Sequence, residues 1–177
     1  MDILSLSDSL VVDVGASNVE DFITRMQAYK GSHDDFDLYV IPTVSKNKQM
    51  KDTISTVETL SEIGVPPEKI RLVFNMVEAD EDPSEVFAGL ITYAEQTGRC
   101  QVSPNMVIRS NELFGKIRKP GSSVEAILAD ETDYKTEIKA ATDPLVKVQL
   151  SQALGLKRLA AGVKEELDRV FKAVVGA

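Results

Sequence analysis

The chain has 177 residues, of which 43% are hydrophobic and 27% charged, proportions typical of one folded domain with a sizeable core. A single cysteine, Cys100, and a single histidine, His33, exclude a disulfide framework and a zinc site built from several such residues. The net charge of −8 excludes a surface that binds nucleic acid through broad positive charge. No apolar stretch approaches the roughly 20 residues of a membrane-spanning helix, so a cytoplasmic protein without a membrane segment is predicted.

The first part of the chain alternates predicted strands with predicted helices. Each strand is a short run rich in β-branched and aromatic residues, and each helix shows apolar residues three or four apart and ends near a glycine. The predicted strands are 10–14, 36–41, 70–74 and 106–108, and the predicted helices are 19–29, 46–63 and 82–98. Because the strands are apolar nearly throughout, the pattern predicts an α/β fold, a parallel sheet with helices on both faces.

The last part of the chain is predicted to be helical. A long amphipathic stretch over 144–175 follows a cap and proline. Gly155 and Gly162 lie inside it, and each costs about 1 kcal/mol relative to alanine, so a bend or break is expected there. We therefore predict an α/β core over 1–110 and a helical extension of the same domain over 111–177.

In open parallel sheets, ligands bind beyond the carboxyl ends of the strands. Asp13 follows an apolar run and precedes Gly15. Many P-loop nucleotide hydrolases use an acidic residue in this position to hold the water shell of Mg²⁺. The alternative is a carboxylate that only caps the following loop. The phosphate-binding sequence G-x-x-x-x-G-K-[ST] does not occur, since the only Gly-Lys pair, Gly115-Lys116, precedes Ile117. ATP hydrolysis by this chain alone is therefore not expected.

Two stretches carry a resemblance to a known family. The stretch VVDVGASNVEDFITRMQAYKGSHDDFDLYVIPTVSKNKQMKDTISTVETLSEIGVPPEKIRLVFNMVE, and MVIRSNELFGKIRKPGSSV with ETDYK after it, resemble the StbB family of plasmid-stability proteins. That family belongs to the ParA/MinD group of deviant-Walker P-loop ATPases. The resemblance covers nearly the whole chain from about Val11. It implies a P-loop NTPase-like fold, use of ATP and Mg²⁺, and a function in plasmid stability, partition or positioning.

The resemblance also implies partners and residue roles. Nucleotide state would switch self-association, as a homodimer, and the binding of a DNA-binding adaptor protein, so direct contact of this chain with nucleic acid is not expected. Asp13 would order Mg²⁺ through water, and Gly15 to Ser17 would sense the γ-phosphate, which makes Asp13, Gly15 and Ser17 the predicted catalytic residues. The predicted nucleotide-binding residues are Asn75, which would contact adenine, and Ile108, Arg109 and Ser110, which would pass near the base.

The chain departs from the family pattern at its start. Family members carry a strand, a P-loop, its helix and a switch region before the VVDVGASN segment, where this chain has only MDILSLSDSL. The first βα unit would then be missing, and an open edge near the middle of the sheet would invite pairing with another chain. The chain is expected to be a truncated form of a longer ATPase or a short paralogue. The alternative function is a non-catalytic interaction protein that kept the sheet and lost the phosphate site.

Other notable residues have simpler interpretations. His33 lies in a polar loop at the amino-terminal end of the strands and is expected to be solvated rather than catalytic, and Cys100 is expected to be a small packing residue. The acidic run 78–82 could bind a cation but is more typical of a solvated loop. The basic run 115–121 could contact nucleotide, DNA or an acidic partner, or form a solvated turn. The apolar face of the last helix indicates core packing first and a dimer interface second.

Overall fold

The computed structural model describes residues 9–117 and 122–176. A parallel three-stranded sheet has the order β1-β2-β3, where β1 is Tyr39–Thr43, β2 is Ile70–Val77 and β3 is Val107–Arg109. The helices are α1 (Val19–Ala28), α2 (Asn47–Glu62), α3 (Pro83–Val86), α4 (Ala88–Thr97), α5 (Glu112–Lys116), α6 (Val124–Leu128), α7 (Tyr134–Ala140) and α8 (Pro144–Val175). The predicted α/β class, with a parallel sheet and helices, is confirmed.

Helices cover the sheet on both faces, as predicted. Leu72 and Phe74 of β2 pack in a cluster with buried residues of α1, α2 and α4. On the opposite face, Val73 packs with Val170 and Val174 of α8. Successive side chains of a strand point to opposite faces, so the nearly continuous burial of β2 requires both layers of helices.

The last helix, α8, packs against the other C-terminal helices. Leu113 of α5 and Val124 of α6 are buried against Val163 of α8, and α7 packs along the same helix. The helix continues without interruption through Gly155 and Gly162, so the break expected there is wrong, while the bend stays a prediction. The packing of α6 and α7 on α8 offsets the intrinsic cost of the two glycines.

The predicted first strand, 10–14, is wrong. The segment is irregular, and Val11 is 92% exposed. The backbone N–H of Asn18 donates to the carbonyl of Gly15 at 2.8 Å, which forms a short 3₁₀ turn ahead of α1. A β-branched composition produces a strand only where another strand accepts its hydrogen bonds, and in the described part of the chain no strand pairs with 10–14.

Several boundaries differ from prediction for identifiable reasons. β1 runs through Pro42 to Thr43, since proline is tolerated on an edge strand. β2 continues to Val77 through a register shift that begins at Phe74. The helix predicted over 82–98 is divided at Phe87, whose fully buried ring stacks on Phe74 at a centroid distance of 4.2 Å.

Two sequence predictions fall partly outside the described residues. The basic run 115–121 includes 118–121, and the opening segment MDILSLSDSL includes 1–8. The division into a core over 1–110 and an extension over 111–177 stays a prediction. Across residues 9–117 and 122–176, no helix has the length and apolar character needed to cross a membrane.

Candidate functional site

The carboxyl ends of the three strands form the candidate site. Residues 44–46 follow β1, Asn75 and Met76 lie near the end of β2, and Ser110 and Asn111 follow β3. α2 begins after Lys46 with no side-chain cap, so N–H groups of its first turn are left without that partner. α5, by contrast, is capped by Asn111, whose Oδ1 accepts from the N–H of Leu113 at 2.9 Å.

Met76 has the most unusual backbone at this edge. It adopts the left-handed conformation with φ of +56°, the only non-glycine residue among those described to do so, and it is 60% exposed. The Oδ1 atom of Asn75 accepts from the N–H of Met76 at 2.9 Å and supports the turn. A left-handed non-glycine residue costs roughly 1–2 kcal/mol, and such strain concentrates at binding sites. The sequence carries no signal for Met76, because methionine has no preference for this conformation.

Asn75 keeps part of its side chain available. Its Oδ1 is used by the N–H of Met76, while in the described ranges its amide nitrogen donates to no protein atom. The residue is half-buried, within β2 rather than after it. An amide nitrogen held in this way can donate to a ring nitrogen or another acceptor of a ligand.

Arg109 holds the acidic loop 78–82 against the sheet. Its Nη1 atom donates to the carbonyl oxygens of Glu78 at 2.7 Å and Glu81 at 2.8 Å. Its backbone N–H donates to the carboxylate of Glu166 on α8 at 2.9 Å. One residue therefore connects β3, the acidic loop and α8, and the Nη1 atom of its guanidinium is occupied by protein carbonyls.

Two carboxylates of the acidic loop, those of Glu81 and Asp82, also accept hydrogen bonds from nearby residues. The Oε2 atom of Glu81 accepts from the N–H of Glu78 at 3.0 Å, and Asp82 caps α3 by accepting from the N–H and hydroxyl of Ser84 at 2.8 Å. The hydroxyl of Ser84 is the main cause of a lowered pKa for Asp82. No cluster of three metal-ligating side chains exists in the parts of the chain that the structure describes.

The predicted catalytic residues lie in the exposed segment before α1. Asp13 is exposed and irregular, Gly15 precedes the 3₁₀ turn, and the hydroxyl of Ser17 donates to Asn18 at 3.3 Å. No hydrogen bond or ion pair between described residues joins this segment to the strand ends. The structure thus places Asn75 near the end of one strand and Arg109 at the end of the next, and no described hydrogen bond joins 13–17 to either residue.

Ile108 and Ser110 occupy different environments. Ile108 is half-buried against the cluster beneath α8, and Ser110 is exposed after β3 and donates its N–H to the carbonyl of Val77 at 2.8 Å. Only Ser110 of the two is placed where a ligand at the edge could reach it. The roles assigned to these residues stay predictions.

His33 and Cys100 lie away from this edge. The side chain of His33 is only 19% exposed, packs beside Gly64 and lies 3.6 Å from the carboxylate of Asp34, so it is more enclosed than the predicted solvated loop histidine. Gly64 has φ of +98°, and its missing Cβ leaves the space that the imidazole occupies. Cys100 is a buried packing residue, as predicted, and burial raises the pKa of its thiol to about 11.

Comparisons of the chain with protein-family models, with curated proteins and with solved structures found no match. The family resemblance therefore rests on the residues quoted from the sequence. The structure itself establishes an α/β fold with a three-stranded parallel sheet.

Proposed function

We propose that the chain is a ParA-like plasmid-stability protein that binds an adenine nucleotide at the carboxyl edge of its sheet without hydrolysing it. The observation that carries this proposal is the turn at Asn75 and Met76, where a strained backbone presents an amide nitrogen with no protein partner among the described residues. The sequence resemblance supports plasmid stability or partition as the setting, with self-association and a DNA-binding adaptor protein as partners.

The residues present fit some parts of Mg-ATP better than others. The amide nitrogen of Asn75 suits a ring nitrogen of adenine, which accepts a hydrogen bond. Asp13 is a single exposed carboxylate, so it suits a metal ion held through water rather than a closed ligand cage. The phosphates of the nucleotide would supply the negative charge that switches self-association and partner binding. The sequence has no phosphate-binding loop, so no hydrolytic step is proposed.

Nucleotide-dependent thermal stabilisation tests this proposal. Ligand at 100 times its Kd stabilises a protein by about 2.7 kcal/mol, which raises the Tm of a domain of this size by roughly 5–10 °C. Asn75→Asp keeps the oxygen that accepts from Met76 and removes the amide donor, so we expect it to abolish the nucleotide shift. Asn105→Asp adds the same charge at an exposed loop residue and should leave the shift unchanged.

A non-catalytic interaction protein is the second candidate. Leu145 is 74% exposed on the first turn of α8, and Val148 one turn later is also exposed, so this helix face lacks a partner among the described residues. No thermal shift at millimolar Mg-ATP would overturn nucleotide binding by this chain and favour the interaction protein. Equal shifts in the wild type and Asn75→Asp would show that nucleotide binds elsewhere.

A further inference from the structure

β1 is an edge strand, and its free side has a defined hydrogen-bonding pattern. The N–H groups of Leu72 and Phe74 donate towards the β3 side of β2. Because backbone groups alternate in direction along a strand, those of Arg71 and Val73 point towards β1. The parallel register opposes Ile41 to Leu72, which directs the backbone groups of Ile41 to β2 and those of Val40 and Pro42 to the free side. Pro42 has no N–H to leave unpaired there, but among residues 9–117 and 122–176 the Val40 N–H and both carbonyls have no strand partner and are open to another strand.

The sheet face next to this edge is incompletely covered. α8 packs over β2 and β3, and the flank of α8 that contains Ala173 borders Asn105, which precedes β3. The opposite flank, with Phe171 and Val175, therefore lies on the β1 side. Val40 is 48% exposed and Phe171 is 65% exposed, so apolar surface adjoins the open hydrogen-bonding edge.

The chain also has a strand-like segment that pairs with no strand in the described residues. Residues 10–14 combine β-branched and apolar side chains, and Leu10, Val11 and Val12 are all exposed. The 3₁₀ turn after this segment leads into α1, which is anchored by the buried Ile23 and Met26. In the described part of the chain this segment pairs with no strand of its own sheet, and the open edge of β1 on a second copy offers a partner of the required kind.

We propose that two copies of this chain associate by strand exchange, with residues 10–14 of each copy pairing along β1 of the other. Charge favours the parallel orientation. The parallel orientation places Asp13 at the carboxyl end of β1, near Lys46 and Lys48. The antiparallel orientation would place Asp13 at the amino end of β1, near Asp35 and Asp37, where like charges repel. This association requires no nucleotide, so its test is independent of the test for nucleotide binding.

The oligomeric state of the nucleotide-free chain tests the exchange. Light scattering after size exclusion should give twice the chain mass of 19.4 kDa. Val11→Lys and Val40→Lys each place a charge in the exchanged pair, so we expect each to raise the dimer Kd at least about tenfold. Leu145→Lys, at an exposed apolar residue of α8, is the matched control and should leave the dimer intact. A monomeric wild type, or a dimer that only Leu145→Lys weakens, would overturn the proposal.

Cysteine crosslinking separates exchange between copies from pairing within one copy. In a Cys100→Ala background, one chain carries Val11→Cys and the other carries Val40→Cys, and the two are mixed before mild oxidation. A disulfide between the two chains at high yield is the expected result. If the same pair in a single chain crosslinks only within that chain, at any concentration, then residues 10–14 add to their own sheet and exchange is refuted.

Discussion

Replacing Arg109 by alanine should destabilise the protein by releasing the acidic loop 78–82. The guanidinium makes two short hydrogen bonds, at 2.7 Å to Glu78 and 2.8 Å to Glu81. A hydrogen bond to a charged group contributes about 1.5–3 kcal/mol, and because these bonds are partly exposed the lower end applies. We therefore expect the free energy of unfolding to fall by about 2–3 kcal/mol, a large fraction of the 5–15 kcal/mol typical of a domain.

Urea unfolding followed by circular dichroism measures this loss. With a slope of about 2 kcal/mol per molar urea, the midpoint should fall by about 1 M. Arg109→Lys keeps the charge but cannot donate through a planar fork, so we expect an intermediate loss. The backbone bond from Arg109 to Glu166 is retained in both variants, so the loss reports the side chain alone.

Arg169 provides the matched control. Its Nη2 atom lies 3.8 Å from the carboxylate of Glu166, and its side chain is 54% exposed. Such a pair contributes little, so Arg169→Ala should lower the free energy of unfolding by less than about 0.5 kcal/mol. If Arg109→Ala loses no more than Arg169→Ala, the two carbonyl bonds do not stabilise the loop and our reasoning about this edge is wrong.

Two further predictions concern the core and the response to acid. Phe87→Ala removes a fully buried ring stacked on Phe74 and should cost about 3–5 kcal/mol in urea unfolding, whereas Phe171→Ala should cost under about 0.5 kcal/mol; similar losses would contradict the packing described. Hydrogen bonds from Thr132 and Tyr134 lower the pKa of Asp130 from 3.8 to about 2. Its contribution to stability is therefore present at neutral pH and lost as the pH falls from about 4 through about 2. Unfolding between pH 2 and 7 should show a smaller acid loss in Asp130→Asn, and an unchanged loss would refute this role.

The features that were predictable from the sequence are those decided by neighbouring residues. Asp82 and Asp143 accept hydrogen bonds from backbone N–H groups two residues later, each at 2.8 Å, and both start helices at the predicted places. α1 and α2 match their predicted spans closely, because their apolar spacing defines the face that packs on the sheet. Local chemistry of this kind can be read from a short window of sequence.

The features that could not be predicted depend on distant residues. Whether 10–14 forms a strand depends on a neighbouring strand, which composition cannot reveal. Arg109 bonds to residues 28 and 31 positions earlier and, through its backbone, to Glu166 at 57 positions later. The left-handed turn at Met76 coincides with the register shift between β2 and β3, a pairing between segments far apart in the sequence. A sequence pattern identifies these residues only as polar or apolar, so the contacts at the strand ends could not be predicted from it.

The continuity of α8 has a consequence for how the protein unfolds. Its 32 residues extend about 48 Å at 1.5 Å per residue. The C-terminal turns cover the sheet at Val170 and Val174, and the central turns bury Leu113 and Val124 of the smaller helices. Because both clusters pack against one continuous helix, unfolding of the whole helix would expose both of them to water together. Amide hydrogens in β2 and in the centre of α8 are therefore expected to exchange in the same cooperative event.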